Sequence, residues 1–580
     1  MNAERLLEVY EQISEAPDAI ARLRRFVLDL AVRGKLVEQD AGDEPAKKLI
    51  ADIRRTKEDL IKEGKIKKPK SLELLAETPF DVPASWAWEK LGKVTSYIQR
   101  GKSPKYSPGS RIPVVSQKCV QWSGLDMTVA KDISRESFQK YEAIRLLLDG
   151  DLLWNSTGTG TIGRVLVLQN PPENLVCDSH VTVVRPIHLN SNYVSLWLRS
   201  DHVYGQIEGS AAGSTNQIEL TATLANNQPV PIPPLPEQHR IVAKVDELMA
   251  LCDRLEEAHK TREEVRDKLT AASQARLTAP DTTAEDFRAH AAFALKELPA
   301  LTTRPDQIKT LRQTILNLAV RGKLVEQDPA DEPAHETLKR LLKARQELEE
   351  QGRILKIKKI PALNEPVFEA PHGWEWCPLV TICDVVDPNP SHRMPRYVSS
   401  GGQPFISSQN FVDDDGVDYS IGKRVDMTTV EEQISRFSIL EGAFGFSRIG
   451  TIGKTRPLAR ERSYGISHAV CVVNPVSVED LSMRFLRLAM SAEIILEHAH
   501  HGTRSVGVPD LGMGVIRSMS IPLPPVAEQH RIVARVDALM ALCDQLEAAL
   551  TTADTTRTRL LEAFLHEALG PTREVLEAAE

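Results

Sequence analysis

The sequence predicts an α+β protein, with two mixed α/β domains related by a pseudo-two-fold and joined by long antiparallel coiled-coil helices. Three observations predict it. First, residues 30–40 read LAVRGKLVEQD and residues 318–328 read the same, so the chain is duplicated at a register of 288 residues. Trp86 and Trp88 match Trp374 and Trp376 in that register. Second, EQHRIVA at 237–243 recurs at 528–534, and each copy opens a heptad-spaced apolar stripe. Third, the stretches between these blocks are rich in Gly, Ser, Pro and short β-branched runs, and there the two halves diverge.

Each element follows from local chemistry. In residues 1–74, Leu23, Val27, Leu30 and Ala31 fall at helical spacing and Gly34 interrupts the stripe. A charged amphipathic stretch from Ala46 to Gly64 follows, and the lysines after it read as a solvated helix end. Residues 75–236 carry β-branched runs at 112–116 and 181–184 and close on the proline-rich exit PVPIPPLP. Residues 237–277 form a long helix with the seam Ile241, Val245, Leu248, Cys252 and Leu255. Residues 278–362 hold an Ala/Thr-rich connector and a repeat of the N-terminal helices. Residues 363–526 form the second mixed domain. Residues 527–580 hold the second long helix, with the seam Ile532, Val536, Leu539, Cys543 and Leu546, and the C-terminal tail. At ~1.5 Å per residue, about 35 helical residues make a rod of roughly 50 Å, long enough to hold two domains apart.

Composition bounds the function. A chain of 580 residues is too long for one core, and 42% hydrophobic with 26% charged residues is a globular balance. No apolar run approaches the ~20 residues that span a bilayer. The acidic, amphipathic N-terminus does not resemble an export signal. The seven cysteines include no CxxC pair, so neither a metal site nor a disulfide framework is expected, and a cytoplasmic location is the simple reading. A formal charge of −8 argues against coating nucleic acid by bulk charge, but leaves room for local contacts.

The duplication also tests the motifs. Gly158, Gly160 and Gly163 fit the dinucleotide pattern G-x-G-x-x-G, but the second copy has Arg448 in place of the first glycine. Both halves keep Gly-Thr-Ile-Gly, which reads as a tight turn between strands. The stretch RIGTIGKT at 448–455 lacks the first glycine of a P-loop. Asn170, Pro171, Pro172 and Glu173 approach the N-P-P-[YF] element of amino-methyltransferases, but a glutamate cannot stack on a flipped base. His180 and His468 follow serines at equivalent places, and they read as buried histidines tied at a strand start.

The combined pattern is specific. Two divergent domains each open on Trp-x-Trp, carry Gly-Thr-Ile-Gly and end in PPLPEQ (233–238) or PPVAEQ (524–529) before a heptad helix. Arg33, Gly34, Lys35 and Leu36 recur as Arg321, Gly322, Lys323 and Leu324. Across essentially its whole length the chain resembles the specificity subunit of Type I restriction–modification systems. The resemblance implies two target-recognition domains, each reading one half of a bipartite double-stranded DNA site, with helices that set the spacer. It implies no catalysis and no cofactor in this chain. S-adenosylmethionine is expected in two modification (methyltransferase) subunits, and ATP with Mg in restriction (translocase–nuclease) subunits. The helical block before the first domain departs from many relatives, whose matching element is C-terminal; a circular arrangement accommodates it. The alternatives are a standalone methyltransferase or nuclease fusion, and a helical scaffold with two ligand-binding domains and no DNA role.

Base reading needs side chains that reach base edges from loops on a rigid frame, where Arg and Lys can pair with guanine and Asn and Gln with adenine, so the candidates lie in the polar, divergent loops. In the first domain the candidates are Gln99, Arg100, Lys102, Lys105, Tyr106, Gln117, Lys118, Asn155, Thr157, Thr159 and Asn216. In the second they are His392, Arg393, Arg396, Ser408, Gln409, Asn410, Arg448, Arg504 and Ser505. Gln117 and Lys118 match Ser408 and Gln409, and Thr157 and Gly158 match Ser447 and Arg448, so matching loops carry unlike residues.

Overall fold

A computed structural model of the chain describes residues 15–569, apart from 69–71, 73–74, 76–77, 159, 210–218, 280–282, 358, 364–365, 391–393, 400, 413–415, 462 and 501–509. The chain divides into two compact units: residues 1–262 with 554–580, and residues 263–553. Among the described residues no helix is long and apolar enough to cross a membrane.

Unit 1 opens with α1 (Ala19–Val32) and α2 (Ala46–Lys62). The glycine after α1 is required. Gly34 has a φ of +69°, and a Cβ there would lie 2.6 Å from Pro83 Cγ and 3.1 Å from the Trp86 ring. The mixed domain begins with β1 (Ala87–Lys90) and β2 (Thr95–Arg100), continues through β3 (Leu152–Asn155), β4 (Val165–Val167) and β5 (Val181–Pro186), and then α3 (Ser191–Leu198). Its last strand, β6 (Pro229–Ile232), pairs antiparallel with β1, Trp88 opposite Pro231, so the domain's entry and exit lie side by side. β2–β5–β3–β4 is an antiparallel sheet. A smaller sheet joins Pro113–Val115 to Lys131–Asp132 and, in parallel, to Val176–Cys177. Trp154, Val184, Val194 and Trp197 lie in the core between the main sheet and α3.

The exit strand leads directly into α4 (Leu235–Thr278). Its first seam residues, Ile241 and Val245, are buried with Val27 and Ala31 of α1 and with Trp86, Tyr193 and Leu196 of the domain; Leu248 is packed at the edge. Residues 554–569 complete the unit. Leu561 is buried with Ala16 and Ala19, Arg22 pairs with Glu562 at 2.6 Å, and Lys35 Nζ donates to the Leu569 carbonyl at 2.8 Å. The C-terminal helical segment thus packs on the helical block that opens the unit.

Unit 2 repeats this plan. The segment read as an Ala/Thr-rich connector contains a helix, α5 (Ala284–Leu301), whose first turn is capped by Thr283 accepting from the Asp286 amide at 3.1 Å. Its alanine content favours helix despite Pro299. Then come α6 (Pro305–Val320) and α7 (Ala334–Glu350), β7 (Glu375–Pro378), β8 (Cys383–Val386), β9 (Phe444–Ser447), β10 (Thr455–Pro457), β11 (Val470–Pro475), α8 (Met483–Ser491), β12 (Ser520–Leu523) and α9 (Val526–Leu569). β7 pairs with β12, and the sheet order β8–β11–β9–β10 copies unit 1. Ile532, Val536 and Cys543 of the seam are buried with Ile308, Ile315 and Leu316 of α6, while Leu539 and Leu546 pack at the edge.

Ion pairs are duplicated too. Arg24 bonds Asp253 and Glu256 at 2.7 and 2.8 Å, and Arg312 bonds Asp544 and Glu547 at 2.6 and 2.8 Å. Arg240 grips Asp43 at 2.7 Å, and Arg531 grips Asp331 at 2.6 Å. In each unit these contacts fasten the long helix to the helical block.

Candidate nucleic-acid interface

The Gly-Thr-Ile-Gly stretches join antiparallel strands, β3 to β4 and β9 to β10. A dinucleotide site needs a helix after that turn, and here a strand follows. Gly160 and Gly450 both have a φ of +77° in open space. Gly163 and Gly453 are also left-handed, and a Cβ would come within 2.8 Å of Tyr204 and 2.6 Å of Leu496. The motif therefore packs a hairpin turn onto the domain.

The hairpins differ in length. In unit 1 the Asn155 amide donates to the Arg164 carbonyl at 2.8 Å; in unit 2 the Ser447 amide donates to the Lys454 carbonyl at 2.9 Å. Ser156 bonds His180 and Leu220 through its main chain, as Arg448 bonds Ala469 and Leu511. The structural partner of Arg448 is therefore Ser156, and that of Ser447 is Asn155. This corrects the register read from sequence, because the turn of unit 1 is two residues longer and Thr157 lies in the extra length.

Around this turn unit 1 gathers a polar cluster. Asp178 is buried; its Oδ1 accepts from the His180 amide at 2.9 Å and its Oδ2 from the Tyr106 hydroxyl at 3.3 Å. Burial pushes the Asp178 carboxyl above its usual range, against the opposing pull of the His180 amide bond. Thr157 Oγ1 lies 2.7 Å from His180 Nδ1 and 3.3 Å from Gln117 Oε1. Arg100 donates to the Ser179 carbonyl at 2.7 Å and also pairs with Glu219. Gln99 accepts from Arg145 at 3.1 Å, and Lys102 Nζ donates to the Lys140 carbonyl at 2.6 Å. Lys105 and Lys118 are exposed, and Tyr106 is 43% exposed beneath Lys131, whose Nζ is 5.1 Å from the ring centre.

The structure corrects three candidates. Asn155 is fully buried, and its Nδ2 donates to the Gln117 carbonyl at 3.0 Å, so it supports a reader rather than reading. Asn410 is fully buried, with Oδ1 accepting from the Ser407 amide and Nδ2 donating to the Asp418 and Ile421 carbonyls. Arg448 is 3% exposed, and it donates to the Leu511 and His468 carbonyls and to Asp510 at 3.1 Å each. All three side chains satisfy loop backbone, a role that composition does not separate from base contact. In unit 2 Gln409 and Arg396 are exposed and Ser408 is half-buried. Thr159, Asn216, His392, Arg393, Arg504 and Ser505 lie outside the described residues.

His180 and His468 are also not the equivalent buried residues expected: His180 is exposed beside Thr157 and its structural counterpart is Ala469, while His468 is half-buried. Two further groups lie outside the candidate positions, Asp178 in unit 1 and the Lys423–Tyr397 stack in unit 2, with Nζ 4.3 Å from the ring centre. Asp178 had a signal in its place before the Ser-His pair. The stack had none, since its residues are 26 apart in sequence.

The family described as the Type I restriction modification DNA specificity domain matches residues 84–265 and 373–553, one segment in each half of the chain. The specificity subunit of the Type I restriction enzyme EcoEI from Escherichia coli is 29% identical over 576 residues, covering 95% of this chain and 94% of that protein. The EcoAI specificity subunit from the same organism is 28% identical with the same coverage. A solved HsdS subunit from Thermoanaerobacter tengcongensis aligns with 85% of this chain and 99% of its own, at 19% identity and a TM-score of 0.40.

Proposed function

Since the chain belongs to the Type I restriction–modification DNA specificity family, we propose that each unit reads one half of a bipartite DNA site and that α4 and α9 set the spacer between the halves. The chain is a DNA sequence-specificity subunit, the recognition component of a Type I restriction–modification complex. One observation carries the division of labour. The two units share sheet order, closing strand pair and ion pairs, yet the equivalent hairpin turns differ in length and side chains. A shared frame with unlike tips suits two unlike half-sites.

The exposed Lys105, Lys118 and Lys131 of unit 1, and Arg396 and Lys423 of unit 2, supply phosphate contacts that position the duplex. Gln117 and Gln409 supply amide groups for base edges. The chain has no catalytic role and works in the cytoplasm. Two modification subunits dock on the long helices and helical blocks and bring S-adenosylmethionine, and restriction subunits bring ATP and Mg.

Exchange of residues 75–236 for the corresponding domain of a relative with another target tests this reading. Methylome sequencing should show a new first half-site with the second half-site and spacer kept. Changes in both half-sites would overturn it. The purified chain with DNA and S-adenosylmethionine should transfer no methyl group until modification subunits are added.

A further inference from the structure

Resting on the half-site reading, we propose that Gln117, Thr157 and His180 form one hydrogen-bonded relay that reads an A·T pair in the half-site of unit 1. Three separate segments converge to build it. The His180 main chain is clamped on both sides, its amide donating to Asp178 Oδ1 and its carbonyl accepting from the Ser156 amide, both at 2.9 Å. Its ring is left exposed, with Nδ1 2.7 Å from Thr157 Oγ1. Thr157 sits in the additional length of the unit 1 turn and reaches Gln117 Oε1 at 3.3 Å. Gln117 is held from behind by buried Asn155. Gly158 has a φ of +103°, and a Cβ there would lie 2.5 Å from Gln117 Oε1. The amide carbonyl therefore packs down onto bare backbone. Among the described residues, Gln117 Nε2 and His180 Nε2 have no hydrogen-bond partner.

The chemistry of the three groups links the polarity of the two open ends. An amide oxygen only accepts, so the Thr157 hydroxyl donates to Gln117, and its lone pair accepts from His180 Nδ1–H. Neutral His180 then offers an acceptor at Nε2, while Gln117 offers a donor. If the amide turns over, the hydroxyl and the imidazole tautomer reverse with it, and the pair again offers one donor and one acceptor. Adenine presents one acceptor, N7, and one donor, N6, in the major groove, whereas guanine presents two acceptors. The relay fits the first and leaves an unmatched acceptor against the second. Thr157 is a positioning residue here, since it acts through Gln117 and His180.

The test is methylome sequencing of the complete complex, with this chain expressed beside its modification subunits. Thr157→Val removes the hydroxyl and keeps both ends. Thr157→Val, His180→Ala and Gln117→Ala should each relax the same base pair of one half-site, admitting G·C about tenfold or more above wild type, because one such contact is worth about 1–3 kcal/mol of discrimination. The other half-site and the spacer should not change, and Thr157→Ser should restore the motif. A wild-type motif in Thr157→Val, or relaxation of different positions by the three variants, would overturn the relay alone. A wild-type methylome without a bipartite motif would overturn the half-site reading and the relay with it.

Discussion

The Trp86 indole donates to Glu237 Oε2 at 3.0 Å, joining the entry of the first mixed domain to the first turn of α4. Trp374 donates to Glu528 at 2.9 Å in the same way. These bonds explain why Trp-x-Trp and Glu-Gln recur together. The duplicated tryptophan and glutamate sit about 150 residues apart, yet each pair sets where a long helix leaves its domain.

Glu237 is buried and also accepts from Gln39 at 2.6 Å. Trp86→Phe should cost about 1.5–3 kcal/mol, the range for losing a hydrogen bond to a charged group, read as a lower melting temperature. Burial raises the Glu237 carboxyl above its ordinary 4.5, with the Gln39 and Trp86 bonds opposing. The folded state therefore holds that proton more tightly than the unfolded state does. Stability falls as pH rises from about 4.5 through the folded-state pKa, then levels. Glu237→Gln keeps an acceptor for Trp86 and removes this slope. Its stability relative to wild type should rise over that window and be unchanged below it. A flat difference from pH 4 to pH 8 would show that the buried charge carries no cost.

The frame was legible in the sequence because duplication exposes it. Gly34 and Gly322, the Trp–Glu partners and the seams all repeat, and each copy occupies the same setting. The tips were less legible for a chemical reason. Asn410 and Gln409 are adjacent amides, but only burial separates one that binds its own loop from one that faces solvent. Arg448 fits a base reader because arginine suits guanine, yet its bonds to His468, Asp510 and Leu511 use the same donors. The match of Thr157 to Ser447 failed because two additional residues in one turn shift the alignment without changing the motif that follows.

The two glycines of Gly-Thr-Ile-Gly should differ in tolerance. Gly160→Ala places a side chain at positive φ in open space, a cost of about 1–2 kcal/mol. Gly163→Ala adds a Cβ 2.8 Å from Tyr204, which overpacking raises by about 1–3 kcal/mol more. Gly450→Ala and Gly453→Ala should rank in the same order in unit 2. Denaturant unfolding of the four variants reads both comparisons, and equal losses within a pair would show that packing is not what fixes the second glycine.

Helix α4 passes from unit 1 to unit 2 between Arg262 and Glu263. Insertion of seven helix-forming residues there keeps the heptad phase and lengthens the helix by about 10 Å. The matching insertion between Ala553 and Asp554 does the same for α9. With both in place the spacer should grow by about three base pairs, at ~3.4 Å each, with both half-sites unchanged. Methylome sequencing reads the outcome, and an unchanged spacer would remove the long helices as its ruler.

Gln409 and Asn410 give the sharpest separation of reading from support. Asn410 is fully buried and spends its amide on three backbone groups. Asn410→Ala leaves those groups without partners, at about 1–3 kcal/mol each where water cannot replace the bond, so unit 2 should lose stability and methylation should weaken at every site. Gln409 is exposed, so Gln409→Ala should melt like wild type. Its effect should fall on sequence, relaxing one position in the half-site read by unit 2 and leaving the other half intact. Thermal melting with methylome sequencing distinguishes the two. A Gln409→Ala protein with wild-type stability and a wild-type motif would remove this residue from the reading surface and leave that position to Arg396 or the Lys423–Tyr397 stack.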